Sequence, residues 1–174
     1  MKKIKKPEPG EYPVYASIYI DRLPDDGLLL QHLENNFQAT KEFILSLPEE
    51  KLLYRYAAGK WTIKEILVHI IDDERIYSYR ALRFARNDTT KLPGFEQDDF
   101  ARFSNANKRD LGNIFEEYEA VRRSTITLFN GLDEEVFTRY GTADGKNATV
   151  RALAYHIAGH ELHHISIIKE KYLV

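Results

Sequence analysis

The 174-residue chain has no cysteine, a single tryptophan, a single methionine, no excess of charge of either sign and no long hydrophobic run. Each absence removes a class of function. Without cysteine there is no disulfide framework, no thiolate zinc site and no cysteine nucleophile, so a metal would have to be held by histidine and carboxylate, and any sulfur chemistry would come from a partner molecule. With 25 basic against 27 acidic residues the formal net charge is -2, and the uniform positive field of a nucleic-acid binder is missing. Apolar runs such as Ala16–Ile20 and Glu65–Ile71 fall far short of the ~20 residues that cross a bilayer. Met1-Lys-Lys-Ile-Lys-Lys6 has the basic character of a leader's start, but Pro7, Glu8, Pro9 and Gly10 stand where its apolar region would be. The expectation is a soluble, cytoplasmic protein with a frayed basic tail, acting on a small molecule, with neither nucleic acid nor membrane as partner.

What is present is helical periodicity. After an extended entry over residues 1–24 carrying Pro7, Pro9, Pro13 and Pro24, the positions Leu29, Leu33, Phe37, Thr40, Ile44 and Leu47 recur at spacings of three or four and predict a first helix, capped by Asp25 or Asp26 and ended by Pro48. Thr62 with Glu65 forms a capping-box pair opening a second helix, with Trp61 placed to staple onto Ile66, and no Gly or Pro interrupts it until about Asn87. Residues 88–104 read as a connection. A third helix runs from about Asn105 to Asn130, stopped by Gly131 in the left-handed position, and a fourth starts near Ala148 or Thr149. Residues 25–174 are therefore expected to form one all-α domain, a four-helix bundle without strands. A 17-residue connection extends to roughly 55 Å against roughly 39 Å for a 26-residue helix, so one long crossover can run the length of the bundle. Helices two and three would then be parallel, and two and four antiparallel.

The two halves also rhyme weakly. Leu47-Pro-Glu-Glu-Lys-Leu52, Arg55-Tyr56 and Gly59-Lys60 resemble Leu132-Asp-Glu-Glu-Val-Phe137, Arg139-Tyr140 and Gly145-Lys146. Thr62 precedes His69 by seven residues, and Thr149 precedes His156 by the same seven.

Five of the six histidines lie on helices two and four. His156, His160, His163 and His164 span only about 100° of the last helix, on a side flanked by Leu153, Ile157 and Ile167. Burying several imidazoles without partners is costly, and a shared metal satisfies them together. His69 supplies the distant ligand. If helices two and four were parallel it would face His156; if antiparallel, His160 and His164, the arrangement that the long crossover supports. Three imidazoles leave a position open for water or substrate. Imidazole does not name the ion; zinc and nickel are the leading candidates. Because the ligands must be neutral, affinity is expected to fall below about pH 6.5. Asp72 and Asp73, a turn from His69, could steady its ring or relay a proton, and Arg80, returning to nearly the same face, could hold an anionic substrate group.

Gly59-Lys-Trp-Thr-Ile-Lys-Glu-Ile-Leu-Val-His69, Asp72-Asp-Glu-Arg75, Arg80-Ala-Leu-Arg83 and Gly159-His-Glu-Leu-His-His164, in this order and spacing, resemble the DinB/YfiT-like superfamily of metal-dependent enzymes. The resemblance covers about Gly27 to Tyr172. It implies a four-helix bundle with one crossover, often a homodimer, with His69, His160 and His164 as divalent-metal ligands and His156 and His163 as neighbours. The superfamily's chemistry is mixed. Thiol S-transfer with a low-molecular-weight thiol such as bacillithiol is the leading expectation, followed by small-molecule hydrolysis and then by a non-catalytic metal-binding dimerisation module. His160-Glu-Leu-His-His164 also fits the H-E-x-x-H pattern of zinc peptidases, but no His, Asp or Cys follows His164 to complete it.

Overall fold

The structure is a computed structural model and describes residues 1–173. Its helices are α1 (Ser17–Ile20), α2 (Leu29–Leu45), α3 (Glu49–Leu52), α4 (Ile63–Ala85), α5 (Gln97–Phe103), α6 (Leu111–Asn130) and α7 (Val150–Ile167), with a two-stranded hairpin of β1 (Tyr140–Ala143) and β2 (Lys146–Thr149). The four long helices α2, α4, α6 and α7 form the expected bundle. None is long and apolar enough to cross a membrane.

Local chemistry sets the helix starts. At α4 both arms of the capping box are made: the Glu65 amide donates to Thr62 Oγ1 at 3.1 Å, and the Thr62 amide donates to Glu65 Oε2 at 2.8 Å. Helix α6 begins at Leu111, later than the expected Asn105, because Asp110 caps it by accepting from the Gly112 and Asn113 amides. Thr149 caps α7 through the Ala152 amide. Asp26 does not cap α2 directly; it accepts from the amide of Leu28, the residue before the helix.

The crossover runs from the end of α4 to Asp110 and leaves α4 and α6 parallel. Lys64 Nζ reaches the Arg109 carbonyl near the start of both helices, and Ser78 meets Thr125 further along. Helices α4 and α7 are antiparallel: Arg139, whose carbonyl accepts from the first amide of α7, donates to the Ala85 carbonyl at the end of α4, whereas Tyr172, past the end of α7, donates to the Trp61 carbonyl at 2.6 Å.

Four expectations are corrected. The connection over 88–104 contains a helix, α5, and its Leu92 bridges the hairpin edge at Ala143. Strands are present because Asp144 and Gly145 both take positive φ, 52° and 68°, the two-residue turn that joins tightly twisted strands. Gly131 ends α6 at φ -86°, in right-handed conformation. The N-terminal segment is also docked, not frayed. Ile4 is 1% exposed and its carbonyl accepts from Tyr155 Oη, Lys2 is bonded at Asn130 and Leu132, and Glu11 pairs with Arg151.

A buried ion network joins all four bundle helices. Arg122 of α6 donates from Nε and Nη2 to the Glu74 carboxylate of α4 and from Nη2 to Glu161 Oε2 of α7 at 2.9 Å. It also donates to the Leu33 carbonyl of α2, while Thr40 of α2 donates to Glu161 Oε1 at 2.7 Å. Both carboxylates are at most 1% exposed. Replacing Arg122 by Met would leave two uncompensated buried carboxylates, and a loss of about 3–5 kcal/mol is expected by urea denaturation; a change below about 1 kcal/mol would contradict this reading.

Helix α1 lies against α7 at Gly159, where an added Cβ would stand 2.1 Å from the Tyr19 carbonyl oxygen. Backbone cannot yield as a flexible side chain does, so Gly159→Ala is expected to cost about 1–3 kcal/mol. An unchanged urea midpoint would show that the α1 contact is looser than this.

Candidate metal centre

Antiparallel packing brings the first turns of α4 opposite the last turns of α7. His69 Nε2 lies 3.1 Å from His160 Nε2, which lies 3.0 Å from His164 Nε2. The ligating atoms of His69, His160 and His164 all fall within 4.8 Å of one another. His160 and His164 are one helical turn apart and reach the same point from one side, while His69 reaches it from the other.

Three nitrogens converging in this way are poorly served by protein hydrogen bonds. His160 Nε2 contacts two ring nitrogens and can donate at most one proton between them. His69 Nδ1 is buried with no partner among the described residues. The arrangement suits lone pairs aimed at a cation, and the three imidazoles fit a divalent ion, with room left for a further ligand.

Asp73 is 4% exposed, with Oδ2 3.4 Å from His160 Nδ1 and 3.3 Å from His156 Nε2. The expected support of His69 by Asp72 or Asp73 is therefore not what forms. Asp73 lies one turn beyond His69 on α4, and because α7 runs the other way, that level faces His156 and His160. Asp72 is half-buried away from the cluster, with Arg75 at 3.8 Å. Arg80 does not reach the cluster; it lines a separate cavity and donates to the Pro93 carbonyl. His156 stacks on Tyr77 at 3.8 Å, and His163 meets Arg22 near the surface. Glu161, the glutamate of the H-E-x-x-H pattern, projects about 100° away from His160 into the Arg122 network. It is held as a structural carboxylate with no path to the cluster, and this removes the peptidase reading.

The sequence reading missed the walls of the site. Trp61 packs its ring beside His69 at 4.6 Å and over His164 at 6.4 Å. Above the cluster an open cavity of about 340 Å³ is lined by Tyr56, Lys60, Trp61, Gln97, Asp98 and His164 among others. Gln97 and Asp98 come from α5, in the stretch read as a connection; its acidic cluster was the available signal.

A model of the DinB superfamily matches residues 32–168 of the chain. The chain belongs to the DinB superfamily. Relatives include a protein of Oceanobacillus iheyensis named "Putative metal-dependent hydrolase", 27% identical over 142 residues, which span 80% of this chain and 81% of that protein. A Bacillus pumilus protein of the same name is 24% identical over 127 residues, 71% of each chain. Among solved structures, YfiT from Bacillus subtilis, described as "a probable metal-dependent hydrolase with an unusual four-helix bundle topology", superposes with a TM-score of 0.73 at 17% identity, covering 84% of this chain and 85% of that one. At that identity the likeness establishes the fold alone.

All three imidazoles titrate below the ordinary histidine value. Burial lowers His69, against the opposing pull of Asp73 and Asp98. Burial and the charge that His164 or His69 would carry push His160 far down, and burial with the same repulsion takes His164 down to about 2. The cluster is thus neutral at pH 7, as metal ligation requires. Protons compete for it less than for free imidazole, so the loss of affinity expected below pH 6.5 moves to more acid pH. The same shifts bear on stability. The unfolded chain takes up protons from about pH 6.5 downward while the folded cluster does not, so metal-free protein loses stability as pH falls, by up to about 1.4 kcal/mol per pH unit for each imidazole. Urea midpoints of metal-free protein between pH 7 and 5 should show this slope, and His164→Ala should flatten it; equal slopes would count against neutral burial of the cluster.

Proposed function

We propose that this DinB superfamily member is a metal-dependent enzyme acting on a small molecule in the cavity above the histidine cluster, with hydrolysis as the reaction. The observation that carries the reading is the convergence of the Nε2 atoms of His69, His160 and His164, with His164 opening onto a polar cavity. The names of the two curated relatives support the reaction class.

His69, His160 and His164 would hold the ion, zinc or nickel by ligand type. A divalent ion in that position supplies Lewis-acid activation of water and of a substrate oxygen. The remaining tasks fall to the chain. Asp73, beside His160 Nδ1, favours the tautomer that leaves Nε2 as a lone-pair donor. Trp61 walls off one side of His69 and His164 and limits water to the open face. Asp98, on the cavity wall, is placed to accept a proton, and Lys60 to meet a developing negative charge. Asp72 and Arg80, the other expected catalytic residues, take no part.

Thiol S-transfer is the second reading. The cavity volume lies within the range that encloses drug-sized ligands, and so admits a small thiol with its electrophile. The chain has no cysteine, so the sulfur must arrive with the substrate.

Metal analysis of untagged protein is expected to find about one divalent ion per chain, lost in His69→Ala, His160→Ala and His164→Ala and largely kept in His156→Ala and His163→Ala. A panel of small esters and amides, together with bacillithiol, glutathione, coenzyme A or cysteine offered with monochlorobimane, separates the two reactions. Asp98→Asn should lower turnover by roughly 100-fold with metal content unchanged. Equal metal loss in all five histidine variants would overturn the ligand set. Stoichiometric metal with no turnover on either panel would replace the enzyme reading by a metal-binding module.

A further inference from the structure

The weak repeat in the sequence has a structural counterpart that the proposed reaction does not use. From the helix caps onward the two halves match at an offset of 87 residues, that between Thr62 and Thr149. Each threonine caps its helix by accepting from the amide three residues on. At this offset His69 corresponds to His156, while His160 and His164 of α7 correspond to Asp73 and Tyr77 of α4. The contacts correspond as well. His69 meets His160 and His164, and His156 meets Asp73 at 3.3 Å and stacks on Tyr77 at 3.8 Å. An approximate two-fold axis between antiparallel α4 and α7 thus relates the histidine cluster to a second place in the same seam.

That second place also has a cavity, about 30 Å³ in volume, lined by Tyr15, Tyr77, Arg80, Phe84, Lys146 and His156 among others. It shares no lining residue with the cavity over the cluster. Positions match across the axis here too: Ile66, Ile167 and His164 of the first cavity correspond to Leu153, Arg80 and Tyr77 of the second. Where one cavity is lined by an imidazole of the cluster, the other is lined by a guanidinium and a phenol.

Arg80 is 6% exposed, yet among the described residues no carboxylate lies within the 4.0 Å that defines an ion pair, and its one protein hydrogen bond is to the Pro93 carbonyl. A buried arginine normally has an anionic partner. Asp144, next to the lining residue Ala143, is engaged by Lys146 Nζ at 2.6 Å. His156 Nδ1 is buried without a hydrogen-bond partner among the described residues, while its Nε2 lies 3.3 Å from Asp73 Oδ2. The aromatic ring of Tyr77 carries the guanidinium on its face at 5.0 Å, and its hydroxyl lies 3.4 Å from that of Tyr15.

We propose that this cavity is an anion site for the carboxylate of a small organic acid, separate from the histidine cluster. The planar fork of Arg80 matches a carboxylate, Lys146 at the rim, though paired with Asp144, keeps two further ammonium donors, and Tyr77 and Phe84 supply apolar walls for a short carbon chain. At roughly 10–15 Å³ for each water-sized group, the volume takes two or three such groups, the size of acetate.

The test titrates the full-length protein as purified with sodium acetate and sodium propionate at constant ionic strength, reading the thermal midpoint and the carbon-13 signal of labelled acetate. Saturable stabilisation is expected in the wild type and in His164→Ala, whose substitution touches only the other cavity. Arg80→Met, which keeps the buried stem, should weaken acetate at least tenfold. If Arg80→Met does not fold, Lys146→Gln at the rim serves, with a severalfold weakening expected. A response that does not saturate, or that is equal in the Arg80 or Lys146 variant, overturns the site. A response lost in His164→Ala also overturns it, because the anion would then belong to the histidine cluster.

Discussion

Arg122 is the residue on which the geometry of the bundle turns. A guanidinium with two carboxylates in the interior is tolerable only if every donor and oxygen is served, and serving them draws on all four helices: the Leu33 carbonyl and Thr40 of α2, Glu74 of α4, Tyr118 of α6 and Glu161 of α7. Helices joined only by apolar contact can slide or rotate at modest cost. Directional bonds at one level cannot be kept through such a movement, so the network sets both register and rotation. Fixing Glu161 towards Arg122 places His160 about 100° and His164 about 60° from it around α7, and so sets the angle at which both meet α4. Fixing Glu74 likewise leaves His69 and Asp73 to face α7. The position of the histidine cluster thus follows from the rotation that the ion network imposes on α4 and α7.

This dependence explains which parts of the protein were legible in its sequence. The helix periods, the Thr62–Glu65 box and the length of the crossover are local or one-dimensional features, and they were sufficient to predict the bundle and its parallel and antiparallel pairs. The His160–His164 spacing on one helix face was equally legible, and the opposite direction of α4 supplied His69. The network itself was not readable, since Arg122, Glu74 and Glu161 are separated by tens of residues and look like ordinary surface charges on helices. For the same reason Glu161 fitted a catalytic pattern that the fold does not use.

Other misses have more local causes. The hairpin is only four residues on each side, too short for alternation to stand out, although Asp144-Gly145 was a recognisable turn signal. Residues 1–24 look extended and polar, and their docking depends on isolated apolar anchors, Ile4, Ala16, Ile20 and Leu23, with no period to reveal them. Asp73 and Arg80 were singled out correctly as unusual, but their partners depended on what stood opposite at each level of α7. Asp73 meets the ring next to the one expected, and Arg80 lies beyond the cluster altogether.

The surroundings of the cluster show how remote parts of the chain fix a small constellation. Tyr172, past the end of α7, donates to the Trp61 carbonyl, and Lys51 of α3 donates to the Tyr172 carbonyl. Through this chain of contacts the closing turns of the protein hold the residue that precedes α4 over His69 and His164. On the opposite flank, Tyr19 packs edge-on against His156, His160 and His163, an approach possible only because Gly159 lets α1 close onto α7. The imidazoles are therefore enclosed by a C-terminal clasp on one side and an N-terminal one on the other, with α5 bordering the face left open. Burial of this kind removes the solvation that would favour protonated rings, so the segments outside the four long helices determine the charge state of the cluster as much as the helices determine its shape.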